Sequence, residues 1–148
     1  MKHEIHIEQQ IAAPLERVFD AVTDHAGMSR WIDGVTVTVD EPGEPPPNGL
    51  GALRQIRWRG ISIWERVVEW RSPTIMHYRV ERGSPVRDHL GRFTLTALSP
   101  AETHVDYRIE YRVPWLFGGR ATGTVLTWVL GRDLRRGLAK LAATFERG

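Results

Sequence analysis

An arginine and a glutamate stand at equal distances from a two-residue turn, and we predict that they face each other inside the protein. If Arg59 and Gly60 form the turn of a hairpin, Arg54 is opposite Glu65. The same register places large apolar residues on that face, pairing Trp58 with Ile61 and Ile56 with Ile63. An apolar face is the inner one, and unpaired charges there are costly, so the two charges should form a pair. Such a pair holds water or a polar ligand group, or closes the rim of the sheet; a register slip would turn both charges to solvent.

Three tyrosines and one histidine are predicted to place polar groups, three hydroxyls and an imidazole, on the inner face of the sheet. Side chains alternate between the two faces of a strand. This parity gives three inner sets: Met76, Tyr78 and Val80; His89, Phe93 and Leu95; and Val105, Tyr107, Ile109 and Tyr111. Taken singly, each polar tip is typical of a core residue with a satisfied hydrogen bond. Taken together they favour a small-molecule pocket, because such pockets combine an apolar wall with a few polar groups.

Alternating apolar and polar residues predict seven strands, at 5–11, 35–39, 52–58, 61–70, 75–81, 89–98 and 104–113. Most connections are short enough for hairpins, so the sheet should be antiparallel. One helix starts at Pro14, a short second helix runs from Asp24 toward Trp31, and a long helix spans 122–146. The long helix carries an apolar stripe suited to a sheet: Leu126, Leu130, Leu134, Leu138, Leu141 and Phe145.

Length and composition bound the class of protein. The chain has 148 residues, 41% hydrophobic and 26% charged, with no cysteine and a formal charge of +2. We therefore predict a single α+β domain spanning 1–148, in which a curved seven-stranded antiparallel sheet surrounds the C-terminal helix in the order β-α-α-β-β-β-β-β-β-α. The lack of cysteine excludes a disulfide scaffold and a thiolate metal site. With no apolar signal core and no apolar run long enough to span a membrane, we expect a cytoplasmic protein.

Several short sequence motifs, together with the order of elements, resemble the START/polyketide cyclase-dehydrase-like (SRPBCC) superfamily and its helix-grip fold. The motifs are Ile11-Ala-Ala-Pro14 leading into Val18-Phe19, Asp24 and Trp31; Tyr78-Arg-Val-Glu-Arg-Gly83-Ser-Pro85; and Thr103-His-Val-Asp-Tyr107. The resemblance implies a deep cavity between the long helix and the sheet, usually for an apolar or aromatic small molecule. The superfamily includes carriers, receptors and enzymes, so the fold alone does not settle the function.

Small residues on the long helix are consistent with that cavity. Gly123, Thr127 and Gly131 lie four residues apart beside the leucine stripe. A glycine inside a helix costs about 1 kcal/mol relative to alanine, so two of them on one face need an offsetting reason. Empty space for a ligand is one reason, and close packing of the helix on the sheet is the other.

An enzyme of the cyclase type would need a general acid or base and an anchor for an enolate. Glu65, Arg54, the tyrosines and a histidine can supply these groups, and His89 is preferred because His77 points to the other face. The sequence contains no triad spacing, P-loop, dinucleotide fingerprint or nucleophile elbow. We expect no metal site, because His3 and His6 face opposite sides of a strand, and we expect no cofactor.

The outer side of the long helix carries a tryptophan. Trp128 lies there with Val125 and Val129, which suggests contact with another subunit, as in a homodimer, with a target protein or with a membrane surface. The alternative, which we prefer at this point, is that residues 115–117 or the proline-rich loop 42–49 fold over it. The arginines nearby are typical of a solvated face, and we expect no nucleic-acid binding.

These patterns lead to one main hypothesis and two alternatives. The chain is predicted to bind an apolar or aromatic, lipid- or polyketide-like molecule between sheet and helix, and a fluorescent apolar probe should be displaced by fatty or aromatic acids. The alternatives are a cyclase or dehydratase with unassigned catalytic residues, and an interaction module that uses the Trp128 face. The predicted ligand contacts are Trp31, Arg54, Ile56, Trp58, Ile63, Glu65, Met76, Tyr78, His89, Phe93, Tyr107, Tyr111, Thr127 and Gly131.

Overall fold

Seven strands form one antiparallel sheet in the order β1-β7-β6-β5-β4-β3-β2. The computed structural model describes residues 2–147. The strands are β1 (Lys2–Ile11), β2 (Val35–Glu41), β3 (Leu53–Trp58), β4 (Ile61–Arg71), β5 (Ile75–Arg82), β6 (Arg87–Ser99) and β7 (Glu102–Arg112). The α-helices are α1 (Leu15–Thr23) and α2 (Gly119–Arg147), and two 3-10 turns cover Ala26–Arg30 and Trp115–Phe117. The predicted fold class is confirmed.

The second predicted helix is a 3-10 turn rather than an α-helix. It is only five residues long and contains Gly27, which is a poor helix former. The N-cap of this turn is His25 rather than Asp24, but the Asp24 carboxylate still accepts the N–H of Gly27 at 3.2 Å. The other differences are small. Pro14 occupies the N-cap position of α1, one residue before the first helical residue, Leu15. Helix α2 begins three residues earlier than predicted, at Gly119, after an unpredicted turn at Trp115–Phe117.

The β3–β4 hairpin has the register that the sequence predicts. Arg54 pairs with Glu65, and the apolar pairs follow toward the turn. Arg59 and Gly60 have φ angles of 50° and 78°, the left-handed conformation that a two-residue hairpin turn requires at both central positions. The turn therefore fixes the register, and the register places both charges on the inner face.

The leucine stripe of α2 packs in the core at its C-terminal end and lines an internal space at its N-terminal end. Leu134, Leu138 and Leu141 are buried in the hydrophobic core, where α2 packs across β1. Leu126 and Leu130 are only partly buried and, with Leu134, face an internal space. The C-terminal half of the helix thus holds the fold together, while two leucines of the N-terminal half, Leu126 and Leu130, face the internal space.

Close packing, not empty space, accounts for Gly123. A Cβ added there would overlap the ring of His3 on β1, which stacks on Tyr111 with ring centroids 5.6 Å apart. At Gly131 an added Cβ would meet only the flexible end of Arg135, at 2.9 Å, and Ile5 at 3.9 Å. Neither glycine lines the internal space, so the cavity explanation for these two positions is wrong.

Alanine substitutions should separate the two glycines. We expect Gly123→Ala to lower the free energy of unfolding by about 1–3 kcal/mol, because the methyl group must displace His3. Gly131→Ala should raise it by up to about 1 kcal/mol, because alanine favours the helix and Arg135 can move aside. Urea unfolding of both variants measures the difference, and equal effects would contradict this description of the helix–sheet contact.

Candidate functional site

An internal cavity of about 310 Å³ lies between the N-terminal half of α2 and the inner face of the sheet. Its closed end contains polar side chains of β3, β4, β5 and β7, and its wall is mostly apolar. The outer end is bordered by exposed residues at the tip of the β3–β4 hairpin, in the β5–β6 connection and in the 115–117 turn. This volume is at the lower end of the range for small-molecule sites.

Most of the predicted ligand contacts lie together in this cavity. The predicted contacts that line the cavity are Arg54, Ile56, Trp58, Ile63, Glu65, Tyr78, His89, Tyr107 and Tyr111. The hairpin register and strand parity bring them onto one inner face. Their contact with a ligand stays a prediction.

Five other predicted contacts do not line the cavity. Met76 and Phe93 do face inward, as parity predicts, but they are fully buried: Met76 pairs across the sheet with Trp70, on which Phe19 of α1 packs, and Phe93 stacks on Tyr107. Trp31 is buried against Gly137 of α2. The remaining two, Thr127 and Gly131, are on the side of α2 that packs against the strands: Thr127 is hydrogen-bonded to the Tyr111 hydroxyl, and Gly131 is next to Ile5.

Arg54 and Glu65 form a buried ion pair at the closed end. The Arg54 Nε and Nη2 atoms donate to Oε1 of Glu65 at 3.0 and 2.7 Å. Both side chains are almost completely excluded from solvent. Both hydrogen bonds use Oε1, so neither occupies the second oxygen of Glu65, a residue that lines the cavity.

His25 is a third member of this group and is not among the residues predicted from the sequence. Its Nδ1 lies 3.0 Å from Nη1 of Arg54, and its Nε2 lies 3.0 Å from the carbonyl oxygen of Asn48. Because Nη1 can only donate and a carbonyl can only accept, His25 carries its proton on Nε2. The proline-rich loop, through Asn48, therefore orients the histidine that orients Arg54.

The charges at the closed end cancel. Burial and then the positive charge of Arg54 lower the pKa of His25 to about 3, against the opposing effect of its hydrogen bond to Asn48. Burial also lowers the pKa of His89. Burial lowers the pKa of Arg54 as well, but the Glu65 carboxylate and the nearby tyrosines more than offset it and raise the pKa on balance. The site at neutral pH therefore holds one paired cation and two neutral histidines.

Two tyrosines complete the polar end. The hydroxyls of Tyr78 and Tyr107 are hydrogen-bonded to each other, and the Arg54 guanidinium lies over the Tyr78 ring at 4.4 Å. Burial raises the pKa of both tyrosines, so both stay protonated. Gly91 makes room for this arrangement, because a Cβ there would overlap the Tyr78 ring. Two hydroxyls that share one hydrogen bond retain one proton to donate elsewhere.

The ring of His89, on β6, is held in place by a backbone group of the adjacent strand, β5. Its Nδ1 accepts the N–H of Val80 at 3.0 Å, which places the proton of the neutral ring on Nε2. The ring lies against Tyr78 with centroids 5.5 Å apart. His89 thus places a ring N–H donor in the cavity wall beside Tyr78.

The low pKa of His25 makes stability depend on pH. A group whose pKa is lower in the folded state binds its proton more tightly in the unfolded state, so acid destabilises the fold below about pH 6.5. Between about pH 7.5 and about pH 5 we expect wild type to lose about 2 kcal/mol more than His25→Asn, whose side-chain oxygen still accepts from Arg54. Urea unfolding at both pH values measures this difference, and parallel losses would contradict the buried neutral histidine.

One cluster on the outer face combines groups that could bind a metal. Within residues 2–147, the side chains of His6, Glu8 and Asp106 approach one another on β1 and β7. His6 is 3.0 Å from Asp106, and Arg108 also pairs with Asp106 at 3.2 Å. These groups form an exposed ion-pair network, and the expectation of no metal site stays a prediction.

The outer face of α2 is not covered. Trp115, Leu116 and Phe117 are themselves exposed, and Trp128 is 65% exposed. The prediction that the 115–117 segment or the proline-rich loop folds over Trp128 is therefore wrong: the segment forms its own short turn, and the loop packs against His25 instead.

None of the helices described for residues 2–147 has the length and apolarity needed to cross a bilayer.

A curved antiparallel sheet that surrounds a long C-terminal helix, with an apolar cavity between them, defines the helix-grip class of START-like domains. The chain belongs to the polyketide cyclase / dehydrase and lipid transport family, whose model matches residues 2–146. The resemblance stated from the sequence is confirmed. Among curated proteins, none matches this chain.

Solved structures with the same fold are distant in sequence. The chain is similar to the Zhui aromatase/cyclase of Streptomyces sp. R1128, with a TM-score of 0.79 and 16% identity over 99% of this chain and 95% of that one. A START superfamily protein from Mycobacterium smegmatis has a TM-score of 0.76 and 15% identity, with 98% of each chain covered. A protein from Thermobifida fusca has a TM-score of 0.77 and 20% identity over 97% and 93%. At these identities the likeness concerns the fold alone.

Proposed function

We propose that this protein binds a neutral, mostly apolar small molecule whose single polar group reaches the closed end of the cavity. The observation that carries the proposal is the combination at that end of a fully paired charge, neutral histidines and hydroxyl groups. Ile56, Ile63, Leu126 and Leu130 provide apolar walls for the body of the ligand. Membership in a family of polyketide cyclases and lipid transport proteins supports a ligand of this kind.

The hydrogen-bonding groups favour a hydroxyl or an enolisable ketone. Glu65 offers a carboxylate oxygen that accepts, while the tyrosine pair and His89 offer protons that donate. A phenol or a hydroxyketone satisfies both kinds of group. A carboxylate would instead lie beside Glu65 and find Arg54 already hydrogen-bonded, which is costly in a low-dielectric site. The expectation that fatty or aromatic acids bind is revised accordingly.

A displacement experiment with matched ligands tests this proposal. The neutral probe N-phenyl-1-naphthylamine should bind with micromolar affinity and be displaced by 2-naphthol about tenfold more effectively than by 2-naphthoate, which has the same rings and a negative charge. Equal or better displacement by 2-naphthoate would contradict the neutral polar end. A failure of the probe to bind would contradict ligand binding in the cavity altogether.

The second candidate is a cyclase or dehydratase, and the proximity of Glu65 to the tyrosine pair favours it. In such a reaction the Glu65 carboxylate would remove a proton next to a ketone, and a tyrosine hydroxyl would donate a hydrogen bond to the enolate oxygen. The Zhui aromatase/cyclase has the same fold. A carrier and an enzyme differ in whether a bound polyketone leaves the protein unchanged, which mass spectrometry of the released compound determines.

A further inference from the structure

A cluster of exposed apolar side chains stands at the outer end of the cavity. Trp115, Leu116 and Phe117 form the short turn before α2 and are 82%, 71% and 55% exposed. Phe117 also lines the cavity, so the turn borders its opening. Side chains of this size are rarely left in water without a contact that covers them.

The first turns of α2, which follow directly in the chain, carry further exposed apolar residues. Val125 and Trp128 are three residues apart on the outer side of the helix, and both are about two-thirds exposed. The Arg132 guanidinium lies over the Trp128 ring at 5.0 Å. We call the 115–117 turn, Val125 and Trp128 together the mouth surface.

The segment that carries the mouth surface has only basic charged residues, and the acidic residue that follows it, Asp133, is largely buried and paired with Arg59 at 3.2 Å and Arg132 at 3.7 Å. From Val113 to Arg132 the chain carries Arg120 and Arg132 and no acidic residue. The first turn of α2 contains no acidic side chain, although the positive end of the helix dipole favours one there. Arg120 in that position is unfavourable in the free protein and becomes favourable beside an anionic surface.

A second copy of the chain fits this surface poorly. In a twofold dimer the same patch of each subunit faces the other, so arginines would meet arginines, and the neighbouring Asp133 is already paired within its own subunit. A bilayer that contains anionic lipids has the complementary charge, and its interface accommodates tryptophan and phenylalanine. The tip of three consecutive apolar residues also projects outward rather than forming a groove for a protein segment.

We propose that the mouth surface docks on anionic lipid bilayers, inserting Trp115 and Leu116 and placing the opening of the cavity at the membrane. An apolar ligand then passes between bilayer and cavity past Phe117 without crossing water. The docking itself does not depend on the ligand that the cavity binds, and it goes beyond the proposed function.

Vesicle flotation tests the docking. The protein should float with vesicles of phosphatidylcholine and phosphatidylglycerol in equal parts, and about tenfold less with phosphatidylcholine alone, because the arginines then lose their partners. The double variant Trp115→Ser with Leu116→Ser should bind the anionic vesicles at least about tenfold more weakly than wild type. Leu98→Ser, which removes an exposed leucine far along β6, should bind as wild type does.

Two further measurements make the result unambiguous. Uptake of the neutral probe from solution should be the same in wild type and the double variant, which separates a failure of docking from a failure of the proposed function. Wild type that does not float with anionic vesicles, or a double variant that floats equally well, overturns the inference. A dimer in sedimentation velocity that the double variant abolishes, without flotation of wild type, also overturns it and assigns the mouth surface to a second copy.

Discussion

Arg54→Met should destabilise the protein by about 3–5 kcal/mol, because it leaves the buried Glu65 carboxylate and the His25 ring without their partner. In a domain of this size that loss lowers the melting temperature by about 10 °C. Thermal unfolding followed by circular dichroism measures it. Adding Glu65→Leu should recover much of the loss, because the second change removes the unpaired buried charge, although His25 still lacks its donor.

Arg66, the residue after Glu65 on β4, provides a matched control for the stability loss. Arg66 makes two hydrogen bonds to Glu81, at 2.7 and 3.0 Å, with much of both side chains exposed. Arg66→Met should therefore cost only about 0–1 kcal/mol. Equal losses for Arg54→Met and Arg66→Met would contradict a buried pair.

The double variant at Arg54 and Glu65 also separates the two candidate functions. If the protein is a carrier, the folded double variant should change its ligand preference. If the protein is a cyclase, the double variant should remain folded and lose its reaction.

Leu130→Trp should weaken ligand binding by about a hundredfold, a loss of about 3 kcal/mol of binding free energy. Leu130 lines the cavity from the N-terminal half of α2, so an indole there occupies the space that the ligand needs. The fold should persist, because the added rings enter a void instead of a packed region. Titration of the neutral probe, followed by its fluorescence, gives the affinity.

The same substitution outside the cavity serves as the control. Leu98 is exposed near the end of β6, so Leu98→Trp adds the same side chain without reaching the cavity. It should bind the probe with unchanged affinity. Unchanged affinity in Leu130→Trp would show that the probe binds elsewhere, and loss of affinity in both variants would point to an effect on folding.

The hairpin could be predicted closely because local chemistry determines it. A two-residue turn at Arg59 and Gly60 allows one favoured register, and the apolar pairs beside it decide which face is buried. Parity then placed Tyr78 and Tyr107 on the inner face as well. Parity does not tell which part of a buried face stays open, and for that reason Met76 and Phe93 are core residues rather than cavity residues.

His25 could not be predicted from any local pattern, because its partner Arg54 is 29 residues away along the chain. A signal did exist in the chemistry: a buried guanidinium has five N–H donors, and one carboxylate cannot accept from all of them. Arg54 therefore needs a second acceptor, and His25, just before the 3-10 turn, provides it. For α2, Thr127 and Gly131 were predicted on the cavity side, but the helix presents Leu126, Leu130 and Leu134 there.

The most direct test of the central claim is to locate a bound ligand by NMR. On titration of 2-naphthol into isotope-labelled protein, the largest amide shift changes should fall on Glu65, Val80, His89 and Leu130, around the polar end and the helix that faces it. Leu98 and Thr144, which are exposed and do not line the cavity, should not shift. Shift changes confined to the outer side of α2 around Trp128, or the absence of any change at saturating ligand, would contradict ligand binding between the sheet and the helix.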